Sequence, residues 1–241
     1  MILRRLTLAF RKQDWFTVAV EILIVVLGVF IALQVNNWNT ARSDRAEALI
    51  ILELLEQDVA QVLERTDRAI RVHTVSLAAT ARVIHGIRGE NFDEETLLQD
   101  ILDATNISTP PGTLATFTQL VSSGRLKLIH SQDLRRSLTE YDALIRFIHS
   151  QYGVFTGPRT QALHTLTQAS TLQASGLAKN YNDIGQLDAV DRQMLNNNPQ
   201  MMTALQTAYG VHENIHAVLS RTRNQVVAIQ GQIRAEQENI Q

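Results

Sequence analysis

The chain is predicted to be all-α: an N-terminal single transmembrane helix that continues into an elongated antiparallel helical bundle. Three observations lead there. Pro (4) and Gly (11) are scarce in 241 residues, too few for the turns that an all-β fold needs. One long apolar run lies near the N-terminus. Three further stretches carry apolar residues at alternating spacings of 3 and 4, which marks helices packed along one face.

Composition also excludes. Apolar residues at 45% are enough for a core, and a formal net charge of −2 gives no overall basic footprint for nucleic acid. The absence of Cys removes disulfides, thiolate metal sites and cysteine nucleophiles.

Thr17 to Val35 reads TVAVEILIVVLGVFIALQV and is apolar apart from Thr17, Glu21 and Gln34, with Gly28 as its one weak helix former. A bilayer core needs roughly 20 such residues as a helix. Trp15 and Trp38 flank the run as interfacial anchors, about 34 Å apart along a helix. Residues 1–15 carry Arg4, Arg5, Arg11 and Lys12 against Asp14. The formal −2 therefore divides into +3 before the span, −1 from Glu21 within it and −4 after it. The basic excess places the N-terminus in the cytoplasm. The expected organisation is a cytoplasmic tail (1–15), a transmembrane helix (16–36) and a periplasmic bundle (37–241). A cleaved signal peptide fits less well, because the apolar run is long and no small-x-small cleavage site follows. Glu21, Gly28 and Ala32 fall on one stripe, and Gly28-x-x-x-Ala32 is a small-xxx-small pattern suited to close helix approach. An intramembrane carboxylate is costly, so Glu21 either joins such packing, snorkels to the headgroups or is simply protonated.

Beyond the span, one row of α-helical spacing is Leu49, Glu56, Leu63, Ile70, Leu77, Ile84. Its companion is Leu52, Val59, Thr66, His73, Thr80. One helix is expected from the membrane through residue 85, frayed at most at Asn36–Asn39. GIRGEN (86–91) is a turn, and Asp93 opens a short helix with acidic residues in its first turn. ISTPPG (107–112) is a loop, followed by a helix over 113–123 with Gly124 at C′. Ser131 is the N-cap of a helix whose face is Leu134, Leu138, Tyr141, Ile145, Ile148, Tyr152 and Phe155. Gly157-Pro158 should kink or break it. Residues 170–198 read as short helices and loops, with no strand. Asn198-Pro199 opens a last helix, with Met201, Leu205, Ala208, His212, Ile215, Leu219, Thr222, Val226, Ile229, Ile233, Glu236 and Ile240 along its seam.

The string Glu21 to Asn39, EILIVVLGVFIALQVNNWN, resembles the hallmark of an uncharacterised family of bacterial single-span membrane proteins, with its ALQxNNWN exit motif. Phe117 to Tyr141 is similar to a second family segment. Ser123-Gly124, Leu128-Ile129, Leu134-Arg135 and Tyr141 stand at its turn, link and helix positions. The resemblance implies a bacterial inner-membrane topology and carries no activity.

His212-Glu213-Asn214-Ile215-His216 is H-E-x-x-H on a helix, the arrangement by which two His hold zinc and a Glu serves as base. Its setting is poor. No later His completes the extended motif, Glu236 and Glu238 lie about five turns along the same helix, and no strand is expected to receive a peptide. His212, moreover, occupies the apolar seam. His73 is a seam residue with at most a pH-responsive role, and His85, His130, His149 and His164 are scattered. Glu90, Asp93, Glu94 and Glu95 lack the alternating ligands of a calcium loop. No nucleotide or nucleophile-elbow fingerprint occurs. The expectation is a non-enzymatic protein without cofactor or metal. Its partners are the lipid bilayer and a second copy or another membrane protein, with no nucleic acid. A small-ligand sensor and a zinc hydrolase using HENIH are the alternatives.

Overall fold

The structure, a computed structural model, describes residues 15–89, 94–168, 170–173, 186–190 and 199–240. It is all-α in class. Two compact units divide it, Met1–Ile50 and Ile51–Gln241.

Helix α1 is Trp15–Ile87, 73 residues without interruption. The fraying allowed for at Asn36–Asn39 does not occur: Thr40 Oγ1 donates to the Asn36 carbonyl at 3.0 Å, one turn back. In the first unit, the large apolar side chains from Val20 to Val35 and the Trp38 indole are all exposed. This stretch is long and apolar enough to cross a membrane, and none of it is covered by the chain itself.

The second unit is built on heptad seams. On α1, Leu52, Leu55, Val59, Val62, Thr66, Ala69, His73, Ser76, Thr80 and Val83 are buried, spaced alternately by 3 and 4. The companion row is thus the seam. Leu63, Ile70, Leu77 and Ile84 only flank it, half-buried. A half-buried flank explains how Glu56 is tolerated: its carboxylate lies beside the seam and accepts from Arg234 Nε at 2.9 Å. Helix α1 ends in a turn with Gly89 at φ +92°, a left-handed conformation that Gly adopts without Cβ strain.

Helix α2 is Glu94–Thr105; Asp93 lies outside the described residues. After the proline loop comes α3, Ala115–Ser122. Its first turn is capped from α1, since Asp58 Oδ2 accepts from the Thr116 amide at 2.7 Å. Gly124, at φ +69°, closes it as expected. The Arg125 amide reaches the Leu120 carbonyl at 2.9 Å and the Gly124 amide that of Val121 at 3.2 Å, a Schellman closure. A single 3-10 turn, Leu126–Leu128, leads to α4, Gln132–Gln168. Ser131 caps α4, its Oγ accepting from the Leu134 amide at 3.1 Å.

Beyond this point the break allowed for at Gly157-Pro158 does not occur, and one further expectation fails. Helix α4 continues through Gly157-Pro158 to Gln168. Gly153, Val154, Gly157 and Pro158 are all exposed, so the carbonyl that Pro158 leaves without a donor is open to water. That failure is in 170–198, where strands β1 (Ser170–Gln173) and β2 (Gln186–Val190) form an antiparallel ribbon. Ser170 is opposite Val190 and Gln173 opposite Gln186, with an irregularity between Thr171 and Leu172. Strands of four and five residues are too short for a period of two to stand out in the sequence.

Helix α5 is Pro199–Ile240. Of its predicted seam, all but Ile215 and Ile240 are buried, and those two are half-buried. It runs antiparallel to the second-unit part of α1. Arg234 pairs with Glu56 (2.9 Å) and Arg223 with Asp67 (2.6 Å), eleven residues apart on both helices. Pairs of this kind, partly open to solvent, add little stability, but they report the register.

The apolar core is in two main parts. One joins α1, α3, the 3-10 turn, α4 and the C-terminal half of α5 around Leu55, Phe117, Leu138, Tyr141 and Ile229. The other joins Val83, Leu97, Ile101, Met201 and Leu205. Along α1 the seam between them turns polar, through Thr66, His73, Ser76 and Thr80.

Candidate functional site: a buried histidine pair beside a clamped loop

The polar layer is made of side chains that mostly satisfy themselves. Thr66 and Thr80 each donate to the carbonyl four residues back, at 2.7 Å, and Thr222 does the same at 2.9 Å. Imidazoles cannot bond back this way. His73 on α1 and His212 on α5 are both 0% exposed, so each ring nitrogen needs a partner within the protein.

They find it in one chain of hydrogen bonds. His212 Nε2 lies 2.9 Å from the Ala104 carbonyl, at the end of α2. A carbonyl only accepts, so this nitrogen carries a hydrogen. In a neutral ring, Nδ1 of His212 is then an acceptor. His73 Nδ1, 2.9 Å away, must donate to it. His73 Nε2 is left as an acceptor for the Ser108 hydroxyl, also at 2.9 Å. One carbonyl thus assigns both tautomers, with the ring centroids 5.1 Å apart and the planes tilted by 52°.

Ser108 belongs to the proline loop, which α4 holds by three side chains. Tyr141 Oη donates to the Gly112 carbonyl at 2.7 Å and His149 Nε2 to that of Pro111 at 2.9 Å. The Tyr152 hydroxyl donates to the Ser108 carbonyl. Burial raises the Tyr141 phenol well above its ordinary value, so it remains a donor. A crevice of about 30 Å³, apolar in lining, lies where the loop meets α4 and α5, with Ser108, Tyr152, Asn214 and Leu219 among its walls.

Near the far end of α1, Arg82 closes on the buried Asp100 carboxylate of α2 through both Nε and Nη2. The hydrogen bond to Asp100 raises the Arg82 guanidinium above its ordinary value.

The HENIH motif is placed plainly by this geometry. His212 turns into the seam with both ring nitrogens engaged, while Glu213 is exposed and His216 half-buried. The expected lack of a strand no longer counts against a zincin, since the ribbon exists. The orientation of His212 does so instead. Among the described residues no group of three or more His, Cys, Asp or Glu could hold a metal. Zinc content is therefore expected to be the same in the purified protein and in His212→Ala. Stoichiometric zinc that disappears with His212 would restore the motif.

Of the residues expected to pack the membrane helix, Glu21, Gly28 and Ala32 all lie exposed on α1. A Cβ added at Gly28 would meet nothing within 4 Å. Trp38 is 66% exposed and the Arg42 guanidinium carbon stands 6.0 Å from its ring centroid, within cation–π range. Trp15 begins α1, but its side chain lies outside the described residues. The sequence reading missed Ser108, His149 and the Arg82–Asp100 pair. A signal existed only for His149, which shares the predicted α4 face with Tyr141, Ile145 and Tyr152.

Fold and site together define a helical-bundle protein with, among the described residues, one candidate membrane helix near its N-terminus. Residues 21–152, more than half of the chain, match a family of unknown function, DUF6090, and the chain belongs to that family. The match runs from Glu21 through Tyr152, the last clamp on the loop, and so includes His73 and Ser108 but not His212. No curated protein and no solved structure matches the chain.

Proposed function

We propose that this is a single-span protein of the bacterial inner membrane, N-terminus in the cytoplasm. Its periplasmic helical bundle has a non-enzymatic role in binding and assembly. The observation that carries this reading is the contrast along α1. From Val20 to Val35 its large apolar side chains are exposed, whereas from Leu52 to Val83 its seam is closed by the chain's own helices. A bilayer accounts for the first, and the second leaves the bundle free to present its surface. The Gly28/Ala32 stripe, with Glu21 on the same side, supports a helix partner inside the membrane: a second copy or another membrane protein. The full occupation of His212 speaks for a structural seam over catalysis.

The chain has no Cys, so single cysteines report without background. Ser43→Cys is expected to react with a membrane-impermeant maleimide once the outer membrane is made leaky, and Thr7→Cys to react only after lysis. Cross-linking through Gly28→Cys and native mass spectrometry in detergent are expected to give a dimer or a defined partner. Reversed labelling would overturn the topology. A strict monomer with nothing co-purifying would overturn the assembly role.

A further inference from the structure

We infer that Glu21 is the anionic half of an ion pair inside the membrane, and that its cation is a Lys or Arg on the transmembrane helix of a different protein. The inference rests on the membrane span proposed above. Among the partners that span leaves open, it takes another protein over a second copy.

Glu21 stands six residues beyond Trp15 on α1. At the helical rise that is about 9 Å inward from the Trp15 anchor. Helical side chains tilt toward the N-terminus, here toward the nearer surface. The Glu stem nevertheless has two methylenes against the four of Lys, the side chain that reaches headgroups from inside a span. The carboxylate therefore stays at the depth of its neighbours Ile22, Leu23 and Ile24, which are exposed apolar side chains. Ionisable groups at such depth are costly and are held by partners.

Charge selects the partner. From Trp15 to Ala41 the sequence contains no Lys, Arg or His, and Glu21 is its one charged residue. Lys12 and Arg42 lie beyond the two Trp. A second copy packed on the same stripe sets Glu21 against Glu21, two like charges in a medium of low dielectric. It brings no cation at that depth, and self-packing alone would be served better by an apolar residue at 21. A helix with one basic residue a turn or two inside its cytoplasmic end removes two costs together, because its own charge is as unwelcome there as that of Glu21. The side that carries the carboxylate is open. Glu21, Gly28 and Ala32 are exposed, and among the described residues a Cβ added at Gly28 meets nothing within 4 Å. A backbone can approach there closely enough for the short Glu side chain to meet its cation.

The first test uses the full chain in phosphatidylcholine vesicles, labelled at Ser43→Cys because the chain has no other Cys. The probe is a labelled Leu/Ala transmembrane peptide with one Lys at the depth of Glu21, and energy transfer reads association. Association is expected to be about tenfold tighter than for the same peptide with Leu in place of Lys. The preference should vanish in Glu21→Gln and turn toward a Glu-bearing peptide in Glu21→Lys. Equal affinity for the Lys and Leu peptides, or an undiminished preference in Glu21→Gln, would overturn the ion pair. If Glu21→Lys does not insert, the comparison of the parent chain with Glu21→Gln still decides.

The second test purifies the same variants from native membranes. The parent chain is expected to carry a membrane protein with one Lys or Arg in its span, about tenfold depleted in Glu21→Gln. Changing that basic residue to Glu should restore binding to Glu21→Lys. Copies of this chain alone, or nothing, would overturn the choice of a different protein. Maleimide labelling at positions 43 and 7 in each variant keeps two failures apart. Reversed labelling removes the proposed span itself, whereas the expected labelling without a Lys preference removes only the ion pair.

Discussion

Replacing Tyr141 by Ala is expected to destabilise the 51–241 unit by about 3–5 kcal/mol, the range for removing a fully buried aromatic side chain. The ring is 0% exposed and sits in the larger core with Leu138 and Ile145. Its hydroxyl also ties α4 to the Gly112 carbonyl at 2.7 Å. Tyr141→Phe separates the two roles: it keeps the ring and loses one bond, for about 1–2 kcal/mol. Burial holds the folded-state phenol above its unfolded value of about 10. The stabilisation is therefore fully present below that pH and is lost as pH rises through the folded-state value. Denaturant unfolding in detergent measures both variants. Equal losses for Phe and Ala would show that the ring contributes no packing. A Phe variant as stable as the parent, with unchanged decline above pH 10, would show that the loop is held by other groups.

How far such a residue can be recognised in advance depends on whether its partner lies on its own helix. Tyr141 was legible as a core residue because Leu134, Leu138, Ile145 and Ile148 share its face at helical spacing. The α5 seam was legible for the same reason, from Met201 to Glu236, and Ser131 and Gly124 because capping is local chemistry. The bond from Tyr141 to Gly112 was not, since it depends on where a loop 29 residues away is carried by α1. The His73–His212 pair spans 139 residues, and its register is set by everything packed between α1 and α5. Sequence placed each ring on a seam and could not place one ring against the other. On α1 two rows competed as the seam. The row with more large aliphatic residues is the flank, because burial follows geometry and Thr66 and Thr80 bond back to their own helix. The ribbon is a tertiary outcome that overrides local preference, whereas α4 passes Pro158 where the helix is open to water.

Glu236→Ala is expected to cost about 2–4 kcal/mol, from two amides left without an acceptor and a helix terminus left without its anion. Glu236 is 4% exposed on the α5 seam, where a heptad calls for an aliphatic side chain. Its Oε1 accepts from the amides of His130 (2.5 Å) and Ser131 (3.2 Å), immediately before α4 begins. The carboxylate thus docks one helix onto the N-terminus of another and lies where the peptide dipoles favour negative charge. The His130 ring, 3.9 Å from the same oxygen, adds to the positive side when protonated. Ser131 caps the same terminus through a different amide, that of Leu134. Ser131→Ala alone should cost about 1 kcal/mol. Glu236→Gln keeps an acceptor oxygen and removes the charge, so its loss should be about 1 kcal/mol, near the dipole contribution alone. Unfolding free energies of the three single variants and the Ser131/Glu236 double variant decide this. If Ala and Gln cost the same, the acceptor is irrelevant and the charge acts at a distance. If the two sites prove strictly additive, they serve separate amides without a shared response of the terminus. A Glu236→Leu variant more stable than the parent would show that this seam position gains more from apolar packing than α4 gains from its cap.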